Sequence, residues 1–359
     1  VHRHSHTYMV NKTNHHSWGK NGMSQAVNRQ IQLVETPKGK LGPEHFKLAE
    51  AAVPTLSNEG ELLLRTRYIS LDAANRAWMQ GATYRDAVES GQVMAGGALA
   101  EVLESKAKGF AEGDLVFADT GWQDYAVVPA KAAQKVPHME PETHLLSVYG
   151  VAGLTAYFGL LNVGQPKAGE TILVSAAAGS VGSIVGQIAK AAIPDCHVVG
   201  IAGSDDKCQW LLDELGFDAA INYKTQPVHK ALKEAAPKGV DVYFDNVGGD
   251  ILEAALFRMN LFGRIACCGA VSQYDGAPPA AGPRGVPGLI VTKRLNLRGF
   301  IMSDFPTERE KALADLQGWV AEGKIKVKED VIDGLENTPA ALVGLLAGEN
   351  RGKRMVKVI

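Results

Sequence analysis

The fold is decided by the stretch Thr171-Ile172-Leu173-Val174-Ser175-Ala176-Ala177-Ala178-Gly179-Ser180-Val181-Gly182. It begins with a short apolar run, which is typical of a strand buried in a parallel sheet. A turn of small residues follows, and beyond it apolar side chains recur at helical spacing: Val181, Ile184, Val185, Ile188 and Ala192. The stretch therefore predicts a strand, a tight turn and an amphipathic helix.

The same alternation continues toward the C-terminus. Apolar runs predict five further strands, over residues 196–201, 219–223, 240–245, 264–268 and 295–300. Helices are expected between several of them, one capped by Ser204 and another over 250–261. A capping box, Thr307-x-x-Glu310, predicts a helix that runs to about Glu322. Strands alternating with helices indicate a doubly wound parallel sheet, the Rossmann type of α/β fold.

The N-terminal part has a different rhythm. Short strands are predicted over 31–35, 61–71, 97–104, 114–118 and 124–128, separated by glycine and proline. This pattern indicates a compact antiparallel β domain. Residues 324–331 are predicted to form a strand that returns to this N-terminal domain. All four cysteines lie beyond residue 190, so the N-terminal part offers no cysteine cluster for zinc, and we expect no metal site.

Composition limits the remaining possibilities. A net charge of −2 gives no electrostatic reason to expect nucleic acid or an anionic membrane as a partner. Four cysteines in 359 residues are too few for a disulfide framework, so we expect a cytoplasmic protein. Residues 1–24 are interpreted as a disordered tail or a tag, since they hold half of the ten histidines: His2, His4, His6, His15 and His16.

The glycine turn carries the clearest chemistry. Ala176 to Gly182 form an A-x-x-G-x-x-G variant of the dinucleotide fingerprint, in which Gly179 lets the backbone approach a pyrophosphate and Gly182 lets the helix pack on the strand. The N-terminus of the helix favours phosphate. NAD enzymes usually carry an acid at the end of the second strand, whereas here Ser204 ends it and Lys207 follows. A cation there suits the 2′-phosphate of NADPH, although Lys207 is also compatible with a solvated helix position.

Several motifs together resemble a known family. They are the run 153–161, the glycine turn, Asp245-Asn246-Val247-Gly248-Gly249 and Asn350-Arg351-Gly352-Lys353. They are similar to the zinc-independent medium-chain dehydrogenases/reductases, and within them to the leukotriene/prostaglandin reductase branch, also called alkenal or curcumin reductases. The resemblance implies a GroES-like catalytic domain (25–148 and 327–359) with an inserted NADP-binding Rossmann domain (149–326). It also implies a homodimer.

The resemblance also implies a set of cofactor contacts. Lys207 and Tyr223 would hold the 2′-phosphate, and Asn350 would reach back from the C-terminal segment to the nicotinamide side. The complete set of expected cofactor-binding residues is Gly179, Ser180, Val181, Gly182, Ser204, Lys207, Tyr223, Asn246, Cys268, Gly269 and Asn350. Asn246 and Asn350 are equally ordinary loop residues, and Cys268 is also compatible with packing at a strand end.

The implied reaction is reduction of a carbon–carbon double bond conjugated to a carbonyl, with hydride to the β-carbon and a proton to the α-carbon. We hypothesise that Tyr274 donates a hydrogen bond to the substrate oxygen or supplies the proton. An aromatic lid that only closes the pocket is an equal alternative for Tyr274. A quinone reductase and a non-catalytic NADPH-binding sensor or structural protein remain alternatives for the whole chain.

The residues expected around the substrate differ from those common in the family. The family commonly has Asp-Pro-Tyr-Met-Arg where this chain has Asp72-Ala73-Ala74-Asn75-Arg76, so the pocket tyrosine is replaced by Ala74. We expect an enone or alkenal substrate to meet Asn75, Arg76, Tyr84 and Tyr274. Arg76 is equally compatible with a surface or interdomain ion pair.

Overall fold

The computed structural model describes residues 26–276 and 282–359. The interpretation of residues 1–24 as a tail or tag falls outside the described residues. The first part of the chain is rich in strands, and its elements follow in this order: β1 (Val27–Leu33), β2 (Phe46–Ala52), β3 (Glu61–Ser70), α1 (Ala74–Ala77), β4 (Gly97–Ser105), β5 (Leu115–Asp119), β6 (Tyr125–Pro129) and β7 (Gln134–Val136).

The middle of the chain alternates strands and helices. After α2 (Val151–Tyr157) and a π-helix (Phe158–Gly164) come β8 (Thr171–Val174), α3 (Gly182–Ala192), β9 (His197–Ala202), α4 (Asp205–Asp213), β10 (Ala219–Asn222), α5 (Val228–Ala235), β11 (Val240–Asp245), α6 (Gly249–Arg258), β12 (Met259–Cys267), α7 (Gly288–Lys293), β13 (Asn296–Gly299) and α8 (Arg309–Ala321). The end of the chain adds β14 (Glu329–Asp333), α9 (Thr338–Leu346) and β15 (Lys353–Lys357).

Strands β8 to β13 form one parallel sheet in the order β10-β9-β8-β11-β12-β13. The order reverses between β8 and β11, and ligands of doubly wound sheets bind outside the carboxyl ends of the strands at such a reversal. All four residues of β8, Thr171-Ile172-Leu173-Val174, are buried, as expected for an apolar run in the middle of a parallel sheet. Helix α3 covers the sheet with Ile184, Val185 and Ile188. The predicted Rossmann fold is confirmed.

The other large sheet has the order β14-β15-β3-β4-β5-β7, with β6 also paired to β3, while β1 and β2 form a separate pair. The C-terminal strand β15 runs antiparallel to β3. The C-terminus therefore returns to the N-terminal sheet, as predicted for a GroES-like domain interrupted by a Rossmann domain. The predicted boundaries 25–148, 149–326 and 327–359 stay a prediction.

Three local predictions are wrong. The capping box fails because the Thr307 hydroxyl donates to Glu308, and α8 begins only at Arg309. The helix predicted to reach residue 261 ends at Arg258, since Met259 joins the ladder beside β11. The strand predicted from residue 324 begins at Glu329, because the first backbone N–H groups of that segment donate to Trp319 at the end of α8.

Within the described residues, no helix is both long enough and apolar enough to cross a membrane.

Candidate functional site

The glycine turn lies between β8 and α3, where the sheet order reverses. A Cβ on Gly182 would lie 2.2 Å from the carbonyl oxygen of Ala176, so only glycine lets the helix approach this closely. A Cβ on Gly179 would be 3.2 Å from the same oxygen. Val181 is the N-cap of α3, and Ser180 precedes it half-buried. The predicted residues of the turn thus surround a helix N-terminus, where N–H groups and the helix dipole favour an anion.

The ends of β8, β11 and β12 meet beside this turn. The Asn246 backbone N–H donates to the Ser175 hydroxyl at 3.0 Å, and its side-chain amide donates to the Ser175 carbonyl at 2.8 Å. The backbone N–H groups of Cys268 and Gly269 both donate to the Asp245 carbonyl, at 2.9 and 3.1 Å. The structure therefore brings Asn246, Cys268 and Gly269 to one edge of the sheet.

Asp245 is an anchor of this edge that the sequence reasoning missed as a functional position. Its carboxylate accepts hydrogen bonds from the N–H groups of Val247 and Gly248 and from the Tyr243 hydroxyl, at 3.0, 2.8 and 2.8 Å. Burial raises the pKa of the Asp245 carboxyl, and these hydrogen bonds oppose the rise. The bonds fix the turn that carries Asn246.

A cluster of cations lies where β9 and β10 end. Burial lowers the pKa of the Lys207 ammonium, and the neighbouring charges of Lys224, Arg351 and Arg354 lower it further. The side chains of Tyr223 and Lys224 flank Gly203, within 3.2 and 3.4 Å of where its Cβ would be. Among the described residues, no carboxylate forms an ion pair with Lys207, Lys224 or Arg351. Three like charges held together without a counter-charge favour an anionic ligand.

Ser204 has the capping role predicted for it. Its hydroxyl accepts a hydrogen bond from the Lys207 backbone N–H at 3.2 Å, which places Lys207 in the first turn of α4. Asp205 lies in the same turn, and its carboxylate accepts a bond from Asn222 at 2.8 Å. Lys224 and Arg351 were missed by the sequence reasoning. The only available signal for Arg351 was its place in the motif that supplied Asn350.

The C-terminal segment docks on the glycine turn. The Gly352 N–H donates to the Ala178 carbonyl at 2.9 Å, and Gly352 forms a bridge with Gly179. Asn350 is buried, and its side-chain amide donates to the Gly352 carbonyl at 2.9 Å. The Lys207 ammonium donates to the Gly348 carbonyl nearby. The segment that carries Asn350 therefore lies beside the glycine turn, while the predicted reach of Asn350 to the nicotinamide side stays a prediction.

Tyr274 lies at the same edge. Its hydroxyl oxygen accepts a hydrogen bond from the Ala270 backbone N–H at 3.1 Å. The same oxygen lies 3.4 Å from where a Cβ on Gly269 would be, and Gly269 adjoins the Asn246 carbonyl. Because the oxygen accepts this bond, the hydrogen of the hydroxyl remains available for donation to a ligand.

The residues expected on the substrate side lie around α1. Asn75 is buried, and its side-chain oxygen accepts a bond from the Asp72 backbone N–H at 2.7 Å, so it fixes its own turn. Arg76 is buried and forms an ion pair with Asp275 at 3.0 Å, which is the interdomain alternative named above. Tyr84 is 64% exposed, and its hydroxyl accepts a bond from Trp78 at 3.3 Å.

Tyr84 and Tyr274 face the same region. Partial burial raises the pKa of the Tyr84 hydroxyl, and the charges of Asp72 and Tyr274 add to that rise. The Trp78 indole N–H donates to the Tyr84 hydroxyl, and the Gln80 side chain donates to the Tyr274 carbonyl. Both tyrosines therefore lie beside the segment that follows α1.

Two cysteines at the end of β12 are protonated at neutral pH. Burial raises the pKa of the Cys267 thiol to about 11 and that of the Cys268 thiol to about 12. A thiol with such a pKa is a poor nucleophile, which favours the packing interpretation. Within residues 26–276 and 282–359, no group of three His, Cys, Asp or Glu side chains converges to hold a metal.

Comparisons with known proteins agree with this geometry. A family described as the N-terminal domain of oxidoreductase matches residues 29–136, and a family described as zinc-binding dehydrogenase matches residues 180–318. The chain is 47% identical to prostaglandin reductase 1 of Bos taurus, over 87% of this chain and 93% of that protein. It is 41% identical to the NADP(+)-dependent 2-alkenal reductase of Nicotiana tabacum, over 93% of this chain and 98% of that protein.

Solved structures give the same result. The NADPH complex of CurA from Vibrio vulnificus superposes with a TM-score of 0.86 at 39% identity, covering 92% of this chain and 99% of that chain.

Proposed function

The chain belongs to the zinc-independent branch of the medium-chain dehydrogenase/reductase family, and from this membership we propose that it uses NADPH to reduce the carbon–carbon double bond of α,β-unsaturated ketones and aldehydes. One observation carries the proposal. A cation cluster suited to a 2′-phosphate, a glycine turn suited to a pyrophosphate and a phenol with a free hydrogen all lie along one edge of the Rossmann sheet.

The residues present fit NADPH rather than NADH. Lys207, Lys224 and Arg351 supply positive charge at the end of β9, where an NAD enzyme would need an acid for the ribose hydroxyls. Tyr223 and Ser204 frame the same place. The helix N-terminus of α3 would hold the pyrophosphate, and Asn246, Cys268 and Gly269 would lie toward the reacting end.

The chemistry divides between the cofactor and the protein. When bound, NADPH supplies the hydride that adds to the β-carbon. The protein has to orient the double bond and stabilise the negative charge that develops on the carbonyl oxygen. Tyr274 is our candidate for this role, since the Ala270 N–H bonds its oxygen and leaves its hydroxyl hydrogen available for donation. It donates to the substrate oxygen or delivers the proton to the α-carbon, which requires neither a metal nor a strong acid.

The substrate would lie between Tyr274 and the segment around α1. Ala74 stands where the family resemblance implies a tyrosine, and the exposed Tyr84 offers an aromatic surface on the same side. The side chains of Asn75 and Arg76 are buried and bonded within the protein, so they contribute by fixing the conformation of the surrounding segments.

Turnover and product analysis test the proposal. The purified protein is assayed for NADPH consumption with a medium-chain enone, a 2-alkenal, an aryl-substituted enone and a simple quinone, with NADH in parallel. We expect enone or alkenal turnover with NADPH and a saturated carbonyl product. Quinone turnover alone would favour the quinone reductase, and tight NADPH binding without turnover would favour the sensor.

We further propose a cytoplasmic homodimer that joins through the β13 edge of the Rossmann sheet. Among the described strands, β13 pairs with β12 alone, and four exposed apolar side chains belong to β12 and to the helices on either side of it, Phe257, Leu261, Phe262 and Val291, each 56–68% exposed. Apolar exposure of this extent is typical of an interface. Light scattering should give twice the 38.2 kDa chain mass for the wild type and a smaller mass for Phe262→Glu. A wild type that stays monomeric at micromolar concentration would contradict the dimer.

A further inference from the structure

The segment that carries Tyr274 crosses from the Rossmann sheet to the N-terminal sheet. We define it as the crossing segment, residues 269–276, which leaves the end of β12 and reaches the loops around α1. The Tyr274 carbonyl accepts a bond from the Gln80 side chain at 2.8 Å. The Asp275 carboxylate accepts a bond from the Leu41 backbone N–H at 2.8 Å. Both partners belong to the N-terminal part of the chain.

Arg76 adds an ion pair to these attachments. Its Nε donates to Asp275 Oδ1 at 3.0 Å, and its Nη2 donates to the Gly39 carbonyl at 2.9 Å. The arginine side chain is 2% exposed and that of Asp275 is 20% exposed. Within the described residues, Arg76 Nη1 is buried without a hydrogen-bond partner. Loss of Asp275 would therefore leave a buried charge without its counter-charge, which is strongly unfavourable.

The attachment adjoins the reacting group. Asp275 follows Tyr274 directly, and the Tyr274 hydroxyl folds back onto Ala270 within the same segment. Fixing Asp275 therefore fixes where the preceding phenol lies relative to the sheet edge. The ion pair joins residues 199 positions apart, so nothing local in the sequence dictates it.

We propose that the Arg76–Asp275 ion pair is a positioning device for Tyr274, which ties the crossing segment to the loops around α1 so that the phenol faces the substrate. The inference rests on the proposed function. Arg76 then acts on the reaction through Tyr274 and not by touching substrate. A displacement of about 1 Å in a catalytic group can reduce the rate about 100-fold, so anchoring of this kind has a measurable effect.

A double-mutant cycle on kcat tests the coupling, with Asp275→Ala and Tyr274→Phe as the two changes. Asp275→Ala should lower kcat at least about tenfold in the wild-type background and less than about twofold when Tyr274 is already Phe, since residues acting as a unit are not additive. Asp275→Asn keeps an oxygen for Leu41 and Arg76 but removes the negative charge that balances Arg76, so it should restore only part of kcat. Equal losses in both backgrounds would overturn the proposal.

Asp218→Ala is the matched control. Asp218 also accepts a bond from a backbone N–H, that of Val198 at 2.8 Å, and from a cation, Lys190 at 2.9 Å, but it lies at the amino end of β9. Its effect on kcat should be the same with Tyr274 or Phe at the second position. If Asp218→Ala were coupled to Tyr274→Phe as strongly as Asp275→Ala is, the loss of kcat would reflect general stability, and the ion pair would have no specific positioning role.

Hydrogen exchange separates this inference from the proposed function, because it needs no turnover. In Asp275→Ala, peptides covering residues 39–45 and 269–276 should exchange at least about tenfold faster, as anchoring bonds are lost. Unchanged exchange in both peptides would overturn the anchoring whatever the protein reduces. If the wild type reduces only quinones, the proposed function fails. The double-mutant cycle on kcat is then measured with the quinone as substrate.

Discussion

Lys207 gives the sharpest prediction about cofactor choice. The change is Lys207→Met, which keeps most of the side-chain volume and removes the charge. In the structure burial lowers the pKa of this ammonium, and the neighbouring charges of Lys224, Arg351 and Arg354 lower it further. A bound 2′-phosphate would relieve that repulsion and accept a charge-assisted hydrogen bond.

The expected magnitude follows from the bond that is lost. A hydrogen bond to a charged group contributes about 1.5–3 kcal/mol, which corresponds to a Kd for NADPH about 10–150-fold weaker. NADH has no 2′-phosphate, so its Kd should change less than about twofold. Lys190→Met is the matched control, because Lys190 pairs with Asp218 at the opposite end of the sheet. Calorimetric titration of each variant with both cofactors measures these values.

The pH dependence gives a second readout of the same group. Since the pKa of Lys207 is lowered in the free protein, the ammonium loses its proton at a lower pH than an exposed lysine does. The phosphate favours the charged form, so NADPH affinity should be full below this pKa and fall as the pH rises through it. The fall should be reduced in Lys207→Met. Equal weakening of NADH and NADPH would refute the assignment of Lys207 to the 2′-phosphate.

The remaining predictions concern four other places. Tyr274→Phe should lower kcat about 100-fold with an unchanged Kd for NADPH, since only a transition-state contact is lost; full turnover in stopped-flow assays would exclude the acid role. Gly182→Ala should destabilise the protein by about 1–3 kcal/mol because its Cβ would meet a backbone oxygen at 2.2 Å. Gly318→Ala, whose Cβ would meet no atom within 4 Å in helix α8, should stabilise it slightly in the same thermal unfolding experiment. Cys267 and Cys268, with thiol pKa values of about 11 and about 12, should resist iodoacetamide at pH 7.5 in the folded protein, and rapid labelling detected by mass spectrometry would contradict those values.

The glycine turn was predictable because its signals are local. A buried run, small residues and helical spacing follow one another directly, and the structure places β8 and α3 accordingly. The cap formed by Ser204 was predictable for the same reason, since it binds the N–H group three residues later.

Strand β2 (Phe46–Ala52) was missed because its residues do not look like a strand. Phe-Lys-Leu-Ala-Glu-Ala-Ala is rich in good helix formers, and only Phe46 is fully buried. The strand exists because it pairs along its whole length with β1. Pairing with a distant segment overrides local propensity, and a sequence without its partner cannot reveal it.

The candidate site shows the same limit. Lys207 and Tyr223 were identified from motif positions, and Lys224 directly follows Tyr223 in the chain. Arg351 joins them only through the packing of the C-terminal segment on the glycine turn. The partner of Arg76 was not predictable, because the two residues are far apart in the chain. Charges are assembled by the tertiary fold, so the sequence predicted the cofactor but not the full cluster that would bind it.

Transfer of deuterium from labelled NADPH tests the central claim most directly. NADPH carrying deuterium at the transferred position of the nicotinamide is incubated with the protein and a 2-alkenal or enone, and the product is examined by NMR. Our account predicts a saturated carbonyl compound with deuterium on the β-carbon, and, in a separate reaction in D2O, solvent deuterium on the α-carbon. Deuterium on the carbonyl carbon of an alcohol, or no transfer to any unsaturated carbonyl compound, would contradict it.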